Sequence, residues 1–464
     1  MWTKIACVLI LGYLGVSRAF AYLGIPAWKV FLSEVVLGFF LLCGPNVQGR
    51  RWLWVVMRLP GLKRFVTWYG LFLAYGVVQV LRGIWQGNPS LTAVRDLAFN
   101  YYPLYLFLGI WAGLMRPGLL VRLFRGFAWF NGIYGVLFVL FLNRVDWFVP
   151  GVSAEVAPVP IFGQPIYSFV ALLGLLAYEK NINRSWYLLL LNGFVMIGMQ
   201  FRTEWLAFAV GAIVWCVLTR QGKRVLQMGS VLATLLVLMY VTDFRISSPQ
   251  GRSEEDVSAR EIVGRAIAPF RADLSDKKAA AGIGGVDPQE ATFVFRTVWW
   301  LAIWNSVHSS LQTMILGHGY GFPLGDLVPY LEGEFIRTPH NEFFYALGYT
   351  GWIGVMIFGL VQAEIFRLLW NAYRVDGRPF GIIYWTAMMV FGMFFPLGET
   401  PYGAIPFYLV IGWCASPLLF ARRSNNRSRV LQLAAGFPRE NLGGAAEIES
   451  RLPRGATARE NYQW

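Results

Sequence analysis

The sequence predicts an all-α integral membrane protein of about 12 transmembrane helices with one large polar loop on the outer side. Three observations predict it. The 464 residues are 56% hydrophobic, 17% aromatic and only 14% charged, with a mean hydropathy of +0.49; a soluble domain carries about 25% charged residues. The apolar residues come in runs of span length, and a span needs roughly 20 of them. The cations fall between those runs, concentrated in alternate loops. The formal net charge is +14. It is spread over short clusters between apolar runs rather than gathered on one stripe, which excludes nucleic acid as a partner and leaves membrane lipid.

Taken in order, the apolar runs lie at 4–23, 28–44, 65–82, 96–115, 123–142, 161–178, 186–201, 203–219, 225–243, 343–366, 380–397 and 404–420. Lys4 and Ala19-Phe-Ala21 give the first run the look of a cleavable signal peptide. A second run follows almost at once, so a retained span is expected. The basic loops hold Arg50, Arg51, Arg58, Lys63 and Arg64; Arg116, Arg122 and Arg125; Lys180 and Arg184; Arg220, Lys223 and Arg224; Arg367, Arg374 and Arg378; and Arg422, Arg423, Arg427 and Arg429. The positive-inside rule then places both termini in the cytoplasm. The chain divides into spans one to nine over 1–243, an outer loop over 244–342, spans ten to twelve over 343–420, and a tail over 421–464. The tail loses its hydrophobic periodicity and is expected to be a disordered cytoplasmic extension. Cys7, Cys43, Cys216 and Cys414 all sit in apolar runs, too scattered for a zinc site or a disulfide framework.

The outer loop has its own punctuation. Ser253-Glu-Glu-Asp256 reads as a helix start, with Pro269 as the stop. Residues 279–285 form a small-residue linker. Asp287-Pro288-Gln-Glu290 combines a capping residue, a first-turn proline and an acid near the positive helix end. The helix it opens should run to about Leu316 and stop at Gly317. Its Trp299, Trp300 and Trp304 suit a helix resting on the bilayer interface.

Ionisable groups thus collect on one side of the membrane, where charges near hydrocarbon are costly. They are Arg95-Asp96, the hairpin Gln200-Phe-Arg202-Thr-Glu204, Arg296, Arg337-Thr-Pro-His340-Asn341-Glu342 and the turn Glu399-Thr-Pro-Tyr402. Each has a plain reading and a chemical one. His340 either caps the following span and touches headgroups or handles a proton. Arg202 and Arg296 either anchor at the interface or bind an anion. Gly317-His-Gly319-Tyr-Gly321 is either a backbone turn or a phosphate cradle; it lacks the strand-to-helix setting of the latter. Glu342 is an alternative base, and headgroup-level solvation competes with that role. His308, His318 and His340 are the three histidines, too few and too separated to suggest a metal site.

The order of these features resembles the O-antigen ligase and O-antigen polymerase superfamily, bacterial polytopic membrane glycosyltransferases. The resemblance rests on Arg202, Arg296, Gly317, Gly319, Gly321, His340 and Asn341, with Gly348 and Gly351 behind them, and covers roughly 186–400. One departure is Phe201 before Arg202, where a small hydroxyl residue is expected. The resemblance implies a multi-helical fold like that of C-type glycosyltransferases, set in the bacterial inner membrane with its active site on the periplasmic face. It implies a donor glycan on undecaprenyl diphosphate and, as acceptor, a hydroxyl of lipid A-core or of a growing glycan. His340 would then be base or acceptor-orienting group, and Arg202 and Arg296 a diphosphate clamp. Arg337, Arg95, Asn341 and Gly319 would add substrate contacts. Arginines keep their charge at any relevant pH, so neither cofactor nor metal is needed, and they would help keep His340 neutral. Two alternatives stand beside this reading. Protein O-oligosaccharyl transfer shares the chemistry. A lipid-linked glycan transporter or flippase would show broken helices with charges near the midplane, and Glu34 within an early span favours it.

Overall fold

The computed structural model describes residues 1–25, 30–47, 50–57, 59, 61–145, 147–149, 159–179, 182–243, 245, 258, 288–328 and 338–418. Arg337, Asp287, the expected 253–269 helix, the 279–285 linker and the 421–464 tail lie outside them. The described residues form a helical bundle. Six helices are long and apolar enough to cross a membrane: Lys63–Trp85, Ser90–Met115, Leu119–Leu140, Arg202–Thr219, Gly222–Val241 and Glu342–Asp376. Shorter apolar helices, Trp2–Val16, Leu32–Cys43, Ser168–Tyr178, Trp186–Gly198, Phe380–Gly392 and Pro401–Ala415, occupy the remaining apolar runs. The chain is a polytopic helical membrane protein. Its described β-structure is two two-residue pairings, Gly24–Ile25 with Val30–Phe31 and Asn46–Val47 with Arg50–Arg51, flanking Leu32–Cys43, and one isolated bridge between Phe148 and Pro160.

In lipid, apolar surface gives helices no reason to prefer each other, so small residues and interhelical hydrogen bonds set the contacts. The most extensive contact joins Pro401–Ala415 to Tyr105–Met115. A Cβ on Gly109 would collide with the Leu409 carbonyl, and one on Gly412 with that of Leu106. A second clamp is polar. Asn131 donates to Ser168 Oγ at 3.1 Å and to Asn192 Oδ1 at 2.9 Å, and Asn192 donates back to the Ala128 carbonyl at 2.9 Å. Glu34 is held in the same manner: its carboxylate accepts from the Tyr101 hydroxyl at 2.5 Å and from the Phe31 amide at 3.2 Å. A half-buried acid so satisfied is a packing feature, and the transporter alternative loses the residue that favoured it.

The Glu342–Asp376 helix is broken at Gly351, whose φ is 62° and ψ −169°. A break inside a span frees carbonyls that lipid cannot satisfy. Here protein satisfies them. The turn at Gly317–Gly321 inserts beside the break, giving the amides of His318 and Gly319 to the carbonyls of Gly348 and Tyr349 at 2.8 and 2.9 Å. The Tyr75 hydroxyl donates to the Thr350 carbonyl at 2.8 Å.

The helix expected to run from Pro288 to about Leu316 is two helices, Pro288–Val307 and Leu311–Leu316. Ser310 ends the first reading: its hydroxyl accepts from the Thr313 amide at 3.1 Å and caps a new helix. Gly317 closes the second helix as expected, at φ 69°. The tryptophan stripe does not simply rest on an interface. Trp299 is fully buried and donates to the Leu324 carbonyl, Trp300 donates to that of Pro339, both at 2.8 Å, and Trp304 alone of the three is exposed. An indole N–H carried out of water needs an acceptor, and these two find one in the neighbouring backbone.

Candidate active site

Four segments meet at one end of the bundle. The first is the hairpin between Trp186–Gly198 and Arg202–Thr219. Gln200 turns the chain with φ 55°, and Trp205 donates to the Met196 carbonyl at 2.9 Å to hold the two helices together. Arg202 is the first residue of its helix and half-buried. A cation there opposes the helix dipole, and buried Glu204 in the same turn counters it. The second segment is Pro288–Val307. Its half-buried Arg296 donates through Nη1 to the Phe394 carbonyl at 2.8 Å. Burial first, and then the charge of Arg202, push the Arg296 guanidinium down to about 10. The two arginines are electrostatic neighbours.

The third segment is Pro339-His340-Asn341-Glu342. His340 is half-buried, with Nδ1 withdrawn from solvent and φ 53°. A left-handed histidine is strained by about 1–2 kcal/mol, and here it aims the chain into the Asn341 cap. Asn341 is spoken for. Its Oδ1 accepts from the amides of Phe343 and Phe344 at 2.9 and 3.1 Å, and its Nδ2 donates to the Met393 carbonyl at 2.9 Å. The fourth segment, 393–400, is stapled onto the other three: Met393 to Asn341, Phe394 to Arg296, and the Gly398 amide to the buried carboxylate of Glu342. Glu399 follows, its carboxyl pushed well above the usual carboxylate range by burial and by neighbouring Glu342.

The structure thus ties Arg296 and Asn341 to the carbonyls of Phe394 and Met393, with His340 next to Asn341 in the chain and Arg202 within electrostatic reach of Arg296. Gly319 and Arg95 are tied elsewhere, and Arg337 lies outside the described residues. Gly319 gives its amide to the Tyr349 carbonyl, Tyr320 its amide to Gln79 at 3.2 Å, and Gly321 its amide to Asp96 Oδ2 at 2.8 Å. With its N–H groups spent on protein, the glycine turn is a fastener and not a phosphate cradle. Arg95 is exposed on Ser90–Asp96, its charge felt at Tyr101. Asn341, read as a substrate contact, serves as helix cap and tie.

The other histidines are structural. His318 Nε2 lies 3.0 Å from Ser306 Oγ, its ring stacked 4.3 Å from that of Phe322; burial and Arg82 push it down to about 4. His308 lies against Trp304 and Trp352. Arg82, invisible as a functional residue in its apolar run, donates to the carbonyls of Leu316 and Gly317 at 2.6 Å each. Tyr345 also escapes a reading of sequence, because a tyrosine in a span is ordinary, and Glu399 is legible only as one more acid on the outer side. Among the described residues no three His, Cys, Asp or Glu side chains gather as a metal site.

The hairpin, the arginine helix, the glycine turn and His340 all fall inside one matched region. Residues 187–359 match the O-antigen ligase family model. The chain carries that family's domain. Among curated proteins none matches the chain. The match supports membership of the superfamily expected from sequence, and with it a glycan-transfer enzyme of the ligase or polymerase type. Arg95 and the 393–400 segment lie outside the matched residues.

Proposed function

We propose that this chain transfers a glycan from undecaprenyl diphosphate to an acceptor hydroxyl at the periplasmic face of the bacterial inner membrane, without a metal. The observation that carries the reading is that Arg296, fixed by its bond to the Phe394 carbonyl, has its guanidinium pushed down by burial and then by the charge of Arg202. Two half-buried guanidinium groups within electrostatic reach make each other's charge costlier, as the lowered Arg296 shows. A diphosphate placed between them turns that cost into two sets of charge-assisted hydrogen bonds. The site is therefore set for an anion before the anion arrives.

In the reaction, the bond between the anomeric carbon and the diphosphate oxygen breaks, and its electron pair leaves with the diphosphate. Arg202 and Arg296 stabilise that charge. The acceptor oxygen forms the new bond to the anomeric carbon, and its proton passes to the imidazole of His340. Lipid A-core, a growing glycan and a protein hydroxyl all fit this chemistry as acceptors. The break at Gly351 is a feature that a lipid-linked glycan transporter would share. It is filled by the glycine turn, which favours transfer over transport.

His340→Ala should reduce transfer in membranes supplied with lipid-linked donor by about 100-fold or more, with protein level unchanged. Full activity of that variant would refute the assignment. Transport without transfer in reconstituted vesicles would favour the second reading. In a deletion strain, loss of capped core points to a ligase and loss of long chains to a polymerase.

A further inference from the structure

Glu399 and Tyr345 leave polar capacity unused beside the arginine pair. Glu399 lies on the segment joining Phe380–Gly392 to Pro401–Ala415. Both its carboxylate oxygens are withdrawn from solvent, and neither accepts a hydrogen bond. The Tyr345 hydroxyl, one turn into Glu342–Asp376, is in the same condition, the residue only 1% exposed. They are neighbours. Charge on Glu399 reaches Tyr345. The Phe99 ring bridges them, 5.2 Å from the Tyr345 ring and close enough to Gly398 that a Cβ there would fall 2.9 Å from it. The other nearby carboxylates are engaged, Glu342 by the Gly398 amide and Asp96 by that of Gly321.

Buried polar groups are rarely left unmatched, so such a pair calls for a ligand or an ordered water. The Tyr345 hydroxyl can donate or accept, and the Glu399 carboxyl, kept protonated by burial and Glu342, donates through its O–H and accepts through its carbonyl oxygen; the two do not bond each other. One group that answers both is a hydroxyl, which accepts and donates through one oxygen. A diphosphate would leave the Glu399 carbonyl oxygen without a donor, an ammonium would leave the Glu399 O–H without an acceptor, and a prenyl chain answers neither. The 393–400 segment fixes where that hydroxyl sits. Its Phe394 carbonyl holds Arg296 and its Met393 carbonyl holds Asn341, so Glu399 is anchored next to the anion site.

We infer that Glu399 and Tyr345 form a subsite for a hydroxyl of the saccharide attached directly to the diphosphate. This rests on the glycan-transfer reading above and adds to it the recognition of the donor's first sugar. No residue of the diphosphate clamp takes part.

The test uses the full chain in detergent and two probes, undecaprenyl diphosphate and the same lipid carrying one N-acetylglucosamine. Wild type should bind the sugar-bearing lipid about tenfold more tightly. Tyr345→Phe and Glu399→Leu should each reduce that preference to about twofold or less while binding the bare lipid as wild type does. Neither polar group has a protein partner to lose, and binding of the bare lipid reports that each variant is folded. Equal affinity of wild type for the two probes, or a preference untouched in both variants, overturns the subsite; a site holding only water gives that result. Arg296→Ala tests the underlying reading separately, since it should weaken both probes alike. If it weakens neither, the diphosphate clamp fails, whatever the sugar preference shows.

Discussion

Gly317 and Gly351 meet backbone to backbone. A Cβ on either would strike the main chain of the other, and both hold positive φ, 69° and 62°. This contact seats the end of the loop in the broken helix that begins at Glu342, just after His340. The first turn of that helix and the arginine helix are thereby set in one frame. Two positions are thus closed to any side chain, for steric reasons as well as conformational ones.

Gly351→Ala and Gly317→Ala should each destabilise the protein by more than the roughly 1–2 kcal/mol of a left-handed alanine, because displaced backbone adds to it. Thermal melts in detergent should fall by several degrees, with transfer activity falling in parallel. Unchanged melting of both variants would show that the two glycines do not touch.

Arg82 and Arg296 are both half-buried and both donate to main-chain carbonyls, yet their loss should read differently. Arg82→Met removes two charge-assisted bonds at 2.6 Å that finish the Leu311–Leu316 helix. It should cost about 1.5–3 kcal/mol per bond lost at most, visible as a lower melting temperature. Arg296→Lys should leave melting nearly unchanged and lower transfer by about 100-fold, since an ammonium cannot reproduce the planar fork. Equal melting losses for the two variants would assign Arg296 a structural role.

Asn341 offers a test that separates capping from tying. Asn341→Asp keeps the acceptor for Phe343 and Phe344 and loses the donor to Met393. Asn341→Ala loses both, and an N-cap alone is worth about 1 kcal/mol. Melting temperatures should rank wild type, then Asp, then Ala. An alanine variant with normal stability and lost activity would restore Asn341 as a substrate contact.

Glu399 should make stability fall as pH rises. Burial first, and the Glu342 carboxyl second, raise it well above its ordinary 4.5, and Asp96 adds to this. The folded chain therefore holds a proton that the unfolded chain releases. Below the unfolded value both states are protonated and nothing is lost; between that value and the raised folded one the folded state gives way steadily. Glu399→Leu removes the effect. Its melting temperature should exceed that of wild type at about pH 8 and converge with it near about pH 4. Parallel pH profiles for the two proteins would show that Glu399 titrates normally.

Much of this was legible in the chain itself. Each of the twelve apolar runs holds an apolar helix, six of them long enough to cross a membrane, because a span must satisfy its own backbone and so writes its length into local composition. The stop at Gly317 and the site segments at Arg202, Arg296 and His340 could be read from local residue type and order. Tertiary structure alone decided what each polar group spends its hydrogen bonds on. The glycine turn could have faced a phosphate, and its amides went to Gly348, Tyr349, Gln79 and Asp96 instead. Asn341 could have faced substrate and became a cap. Arg82 looked like one charge in an apolar run and closes a helix many residues away. Helix length and membrane burial are properties of neighbouring residues in sequence, whereas the partner of a donor or acceptor is chosen by whichever distant segment folds against it.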